Sequence, residues 1–98
     1  MRLRFAQAAR QDLKDILNYI AQDSPNAAEK VYRAIVASAQ RVMEFPRVGR
    51  PGRLSGTREL PVPSLPYLIV YEIEAEFVTI LAVFHGARNL AQAFSERR

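Results

Sequence analysis

The chain has 98 residues, 49% hydrophobic and 24% charged, with a net charge of +4. This length fits one domain, residues 1–98, that buries about two-thirds of its unfolded surface, and the apolar content excludes a disordered chain. The absence of cysteine excludes disulfides, thiolate metal sites and a thiol nucleophile.

Of the 14 basic residues, only Lys14 and Lys30 are lysines. The planar fork of arginine matches carboxylate and phosphate, so the bias hints at an anionic partner; a GC-rich genome produces the same bias with no function attached. Residues 1–6, MRLRFA, hold no signal-like apolar run. No stretch approaches the roughly 20 apolar residues that span a bilayer. A cytoplasmic protein without membrane contact is expected.

Arg2 to Ala6 alternate, with Leu3 and Phe5 on one side, and predict a short half-buried strand. Residues 7–21 predict a helix whose apolar face is Ala9, Leu13, Ile16, Leu17 and Ile20. Ser24-Pro25 then supplies a cap and a first-turn proline for a second helix running to about Glu44. Its stripe is Ala28, Val31, Tyr32, Ile35, Val36, Ala39, Val42 and Met43. The short connection makes the helices an antiparallel hairpin, and a sheet is the cover their stripes need.

Residues 45–56, FPRVGRPGRLSG, predict an irregular loop because of their prolines and glycines. Residues 57–63 carry Pro61 and Pro63 and suit only a short or edge strand. Residues 66–74 predict a strand with Tyr67, Ile69, Tyr71 and Ile73 on one face. Ala75-Glu76 reads as a tight reversal into a long strand over 77–85, FVTILAVFH, apolar on both faces and therefore central. Plain alternation puts His85 on the face of Phe77, Leu81 and Val83. A last helical turn is expected over 88–95. The fold class is α+β in the order β-α-α-β-β-β: a small, mostly antiparallel sheet covered by an N-terminal helical hairpin.

Together, GRPGRLSGTRELPV (49–62), PYLIVYEI (66–73) and ILAVFHGAR (80–88) resemble the ParE branch of the RelE/ParE toxin superfamily. The likeness covers essentially the whole chain. It implies the toxin of a type II toxin–antitoxin or plasmid stabilisation module, held in check by a cognate ParD-like antitoxin. For ParE-type members the implied target is DNA gyrase; for RelE-type members it is messenger RNA, cut on the ribosome. The RelE-type nucleases use an arginine in the strand phrase, a second just after the last strand, and a tyrosine near the C-terminus. The matching positions here are Leu68, Arg88 and Phe94. A leucine neutralises no phosphate and a phenyl ring carries no labile proton.

His85 is the remaining proton acceptor, since some members place a histidine at this strand end. The bland alternative is that His85 and Gly86 simply end a strand, and that Arg88 pairs with Glu59 or Glu72. Arg47, Arg50, Arg53 and Arg58 fall in a span with no carboxylate, a pattern that speeds association with anionic partners. Solvated loops are often basic for no such reason.

The expectation is thus a toxin that acts by binding, with no catalytic residue, no metal and no cofactor. Arg50, Arg53, Arg58, His85 and Arg88 form its target-binding set. Leu17, Tyr32, Val36 and Met43 lie at the margins of the helical stripes and are the expected antitoxin-binding set, although residue by residue a place in the core is the commoner role for such side chains. No recognition-helix pattern supports sequence-specific DNA binding by the chain alone. The runner-up is a ribosome-dependent endoribonuclease using His85, Arg58 and Arg88; a third reading is a non-toxic relative that only forms the complex.

Overall fold

In the computed structural model, which describes residues 1–86, Arg2–Phe5 forms strand β1. Helix α1 (Gln7–Ala21) follows at once. No side chain caps it; instead the Ala6 amide donates to the Ile80 carbonyl at 2.9 Å and ties the helix start to the sheet. Helix α2 (Pro25–Glu44) begins as its sequence predicts, with Ser24 Oγ accepting from the Ala27 amide at 3.1 Å and Pro25 in the first turn. Strands β2 (Arg50–Pro51), β3 (Arg58–Pro61), β4 (Tyr67–Ile73) and β5 (Phe77–His85) complete the chain order. The helical turn expected over 88–95 lies outside the described residues.

The strands form one sheet in the order β1-β5-β4-β3-β2. β1 runs parallel to β5, and every other pair is antiparallel. β5 is thus central, as its two apolar faces demand. Both helices lie on one side. Ala9 and Ala39 are fully buried and let the helices approach Ile69, Tyr71, Val78 and Ile80 closely. Ser38, absent from the predicted stripe, is buried as well. A second apolar cluster, Leu68, Val70, Ala82 and Phe84, occupies the sheet face opposite the helices.

Two features depart from the sequence reading. The loop over 45–56 contains β2, a two-residue edge strand in which Arg50 pairs with Glu59 and Pro51 with Arg58. An edge tolerates Pro51, whose missing N–H faces no partner. The second departure is a bulge. Val70 pairs with Ala82 but Tyr71 with Ile80, so Leu81 has no partner. Alternation reverses there. Val78 and Ile80 face the helices before the bulge, and Val83 faces them after it. His85 therefore shares the face of Val83 but not that of Phe77, contrary to plain alternation.

β1 ends opposite Ile80 and leaves the Val83 amide beyond its reach. Asp12 of α1 meets that need, its Oδ2 accepting from Val83 N at 2.9 Å. No helix among the described residues is long and apolar enough to cross a membrane.

Candidate functional site

The basic loop between α2 and β3 is fastened to the sheet from both faces. On the helix side, the buried Tyr71 hydroxyl donates to the Pro46 carbonyl at 2.7 Å and accepts from the Gly49 amide at 2.9 Å. Burial pushes this phenol above its ordinary value of 10.0; the Gly49 hydrogen bond and the Arg58 charge pull the other way. Gly49 has no room for a side chain, since a Cβ would lie 2.6 Å from the Tyr71 hydroxyl. Arg58 shares this face and donates from Nη1 to the carbonyl of Gly49 at 2.6 Å.

On the opposite face, the Glu59 carboxylate is 1% exposed. Its Oε2 accepts from the Arg53 amide at 2.8 Å, and its Oε1 lies 3.4 Å from Arg50 Nη2. The first bond is short and shielded. The second is long, and the Arg50 side chain remains 62% exposed. Glu59 thus fixes the loop backbone and only loosely engages the guanidinium. The arginine run, devoid of acid in sequence, meets one buried carboxylate in space.

Beyond the loop, Arg50, Arg53, Pro61, Pro66, Leu68 and Gly86, among others, line a cleft of about 260 Å³. One wall is cationic and the other apolar. The fold thereby brings Arg50 and Arg53 to the end of β5. It does not bring Arg58 there: that side chain is committed to the loop backbone, four residues further along β4, where Tyr71 rather than Tyr67 is its neighbour. Strand rise and spacing put Arg58 and His85 roughly 16 Å apart. His85 is exposed and meets the Tyr67 ring edge-on, with centroids 5.6 Å apart and planes at 89°. Arg88 lies outside the described residues.

The other predicted set falls on the helical hairpin. Tyr32 is 46% exposed. Leu17, Val36 and Met43 are half-buried, and none of the four belongs to the core cluster or packs directly against it. Sequence reasoning missed a further apolar hollow of about 520 Å³ at the far end of the sheet, lined by Met1, Phe45, Val48 and Ile73 among others. Phe45 had the look of a loop residue and Ile73 that of a strand residue, and only the register joins them.

The face opposite the helices carries a polar cluster at that same far end. Arg4 donates from Nε to Thr79 Oγ1 at 2.9 Å, contacts Glu74 Oε2 at 3.2 Å and sits 4.0 Å above the Phe77 ring. Burial, and then the neighbouring Glu74, raise the Glu72 carboxyl above the ordinary range; its hydrogen bond to Glu72 lowers that of Glu74.

Known proteins match this architecture over nearly its whole length. The chain is 38% identical over 91 residues to Y4kP of Sinorhizobium fredii, a protein named as a toxin, covering 93% of this chain and 94% of that one. It is 34% identical over 77 residues to Toxin RelE2 of Caulobacter vibrioides, covering 79% and 85% of the two chains. Among solved structures, a chain of the chromosomal ParDE TA system from P. aeruginosa superposes with a TM-score of 0.79 at 24% identity, covering 87% of this chain and 95% of that one. A chain of the RelBE2 toxin–antitoxin complex from Mycobacterium tuberculosis gives 0.57 at 27% identity, covering 89% and 92%. The family model described as ParE toxin of type II toxin-antitoxin system, parDE, matches residues 3–90, and the chain belongs to that family.

Proposed function

We propose that this toxin is neutralised by a cognate ParD-like antitoxin and harms the cell by binding DNA gyrase in the cytoplasm, not by cutting a covalent bond. The observation that carries this reading is the surroundings of Leu68. The position where a message-cutting relative would hold a phosphate-binding arginine is buried in hydrocarbon with Val70, Ala82 and Phe84. Cleavage by 2′-hydroxyl attack needs a proton acceptor, a donor and cations around one phosphate. Arg58, one of the three residues of the ribonuclease reading, is held by the loop backbone away from His85. Arg50 and Arg53 supply the exposed contacts that a binder needs, and His85 and Arg88 are proposed to join them.

The antitoxin is proposed to lay an apolar segment along Leu17, Tyr32, Val36 and Met43, the margin of the helical hairpin that the core leaves uncovered. Two solved neighbours come from the ParDE and RelBE2 toxin–antitoxin systems, which supports a partner of this kind. Tyr32→Glu is expected to weaken antitoxin binding while the toxin stays folded; binding at wild-type strength would move the groove elsewhere.

The target is tested by inducing the toxin without antitoxin and following DNA supercoiling and the SOS response beside transcript integrity. Filamentation with intact messages supports gyrase. Rapid message cleavage that is abolished by His85→Ala overturns the binding reading. Normal growth overturns toxicity and leaves a partner that only forms the complex.

A further inference from the structure

The cleft between the basic loop and the end of β5 has a chemistry narrower than "anionic partner". Its cations are Arg50 and Arg53, and its apolar lining on the same sheet face is Pro61 and Leu68, with Pro66 at the rim; Leu65 and Tyr67 border it but pack against the helix-side core. Among the described residues, the Arg53 guanidinium has no ion-pair partner, and its backbone amide is already fixed by Glu59. Arg50 leans on Glu59 at 3.4 Å and keeps most of its five donors for another acceptor. The loop itself is held from both faces by Tyr71 and Glu59. The two forks are therefore presented on a fixed backbone, which lowers the ordering cost of engaging them.

The rest of that sheet face discriminates between anions. A nucleic-acid strand brings one phosphate after another and needs a cationic track. The cleft runs into hydrocarbon: Leu68 lines it, and Val70, Ala82 and Phe84 continue from it. Further on, Arg4 is taken by Glu74, with Glu72 beside it. No track leads out of the cleft among the described residues. A volume of about 260 Å³ suits one or two side chains.

We infer that this cleft is a docking site for an acidic–apolar peptide segment of a partner protein, in which one carboxylate is clasped by Arg50 and Arg53 and the adjacent apolar side chain lies on Pro61, Pro66 and Leu68. The inference rests on the reading that the toxin acts by holding a protein partner, and it names the chemistry of the contact.

The test uses the full chain and fluorescence anisotropy. The probes are a labelled peptide alternating Asp and Leu, the same peptide with Asn for Asp, and single-stranded RNA and DNA oligonucleotides of matched length. The Asp peptide is expected to bind at least about tenfold more tightly than the Asn peptide, since one charge-assisted contact is worth about that factor. Arg53→Ala and Arg50→Ala are each expected to lose about tenfold, with the thermal midpoint of Arg53→Ala unchanged because its backbone bond to Glu59 survives. An oligonucleotide that outcompetes the Asp peptide overturns the inference in favour of nucleic acid. Equal binding of the Asp and Asn peptides, or full binding by Arg53→Ala, overturns it outright. Growth arrest by induced toxin is scored separately: its loss in the wild type strikes the proposed function, whereas arrest without peptide binding strikes only this site.

Discussion

Replacing Tyr71 with phenylalanine removes one oxygen and leaves the ring in the core. That oxygen serves two backbone groups at once, donating to Pro46 at 2.7 Å and accepting from the Gly49 amide at 2.9 Å. Each hydrogen bond contributes about 1 kcal/mol net, and the Gly49 amide, stranded in a buried position, adds about 1 kcal/mol more. The expected loss is thus about 2–3 kcal/mol, a large share of the roughly 5–15 kcal/mol that holds a domain together. For a chain of this length the entropy of unfolding is about 0.2 kcal/mol per kelvin, so the thermal midpoint should fall by about 10–15 °C. Circular dichroism melts of Tyr71→Phe against wild type measure this, and urea titrations check that the m-value is unchanged. A fall of less than about 3 °C would mean that the two backbone groups find other partners cheaply, and the account of a loop stapled by Tyr71 would then be wrong.

The same phenol gives an alkaline limb. Its folded pKa lies above the unfolded value of 10.0, so its contribution is complete below pH 10.0 and is lost as the pH rises through the folded pKa. Burial raises Tyr67 in the same direction, so Tyr71→Phe should flatten the high-pH fall in melting temperature without abolishing it. Gly49→Ala drives a methyl to within 2.6 Å of the Tyr71 hydroxyl and 2.9 Å of the Glu59 carbonyl; a loss of about 1–3 kcal/mol in urea unfolding is expected. Glu59→Ala strands the Arg53 amide, and brief tryptic digestion should cut after Arg53 about tenfold faster, because cleavage follows the population of the open loop. Glu59→Gln keeps an oxygen for that amide and should restore most of the resistance; equal cleavage of the two variants would remove Glu59 from the account.

The helices were legible because their signals are local. Apolar spacing, the Ser24-Pro25 start and the short connection all act within a few residues, and α2 begins where they place it. The central position of β5 was legible from its unbroken apolar run. The bulge was not: Leu81 is flanked by ordinary strand formers, and nothing marks it as the unpaired residue. That single insertion moved His85 to the other face. β2 was hidden because its stability comes from pairing with Glu59 and Arg58, not from its own Arg-Pro sequence. For the site, the arginine run announced its charge but not its arrangement. The division of Arg58 from Arg50 follows from adjacent positions on β3 facing opposite ways, and Glu59 and Tyr71 acquire their roles only through register.

The parallel pairing of β1 with β5 joins Arg2 to Phe77 and Phe5 to Ile80, across most of the chain. Contacts this distant in sequence close late, whereas a helical hairpin assembles from neighbours in time as well as in space. The β1–β5 ladder is therefore expected to close after the helical hairpin, whose contacts are local. Until that ladder closes β1 has no neighbour in the sheet, because β5 is the one strand it pairs with among the described residues, and the two ends of the chain's described length are held together by that single seam.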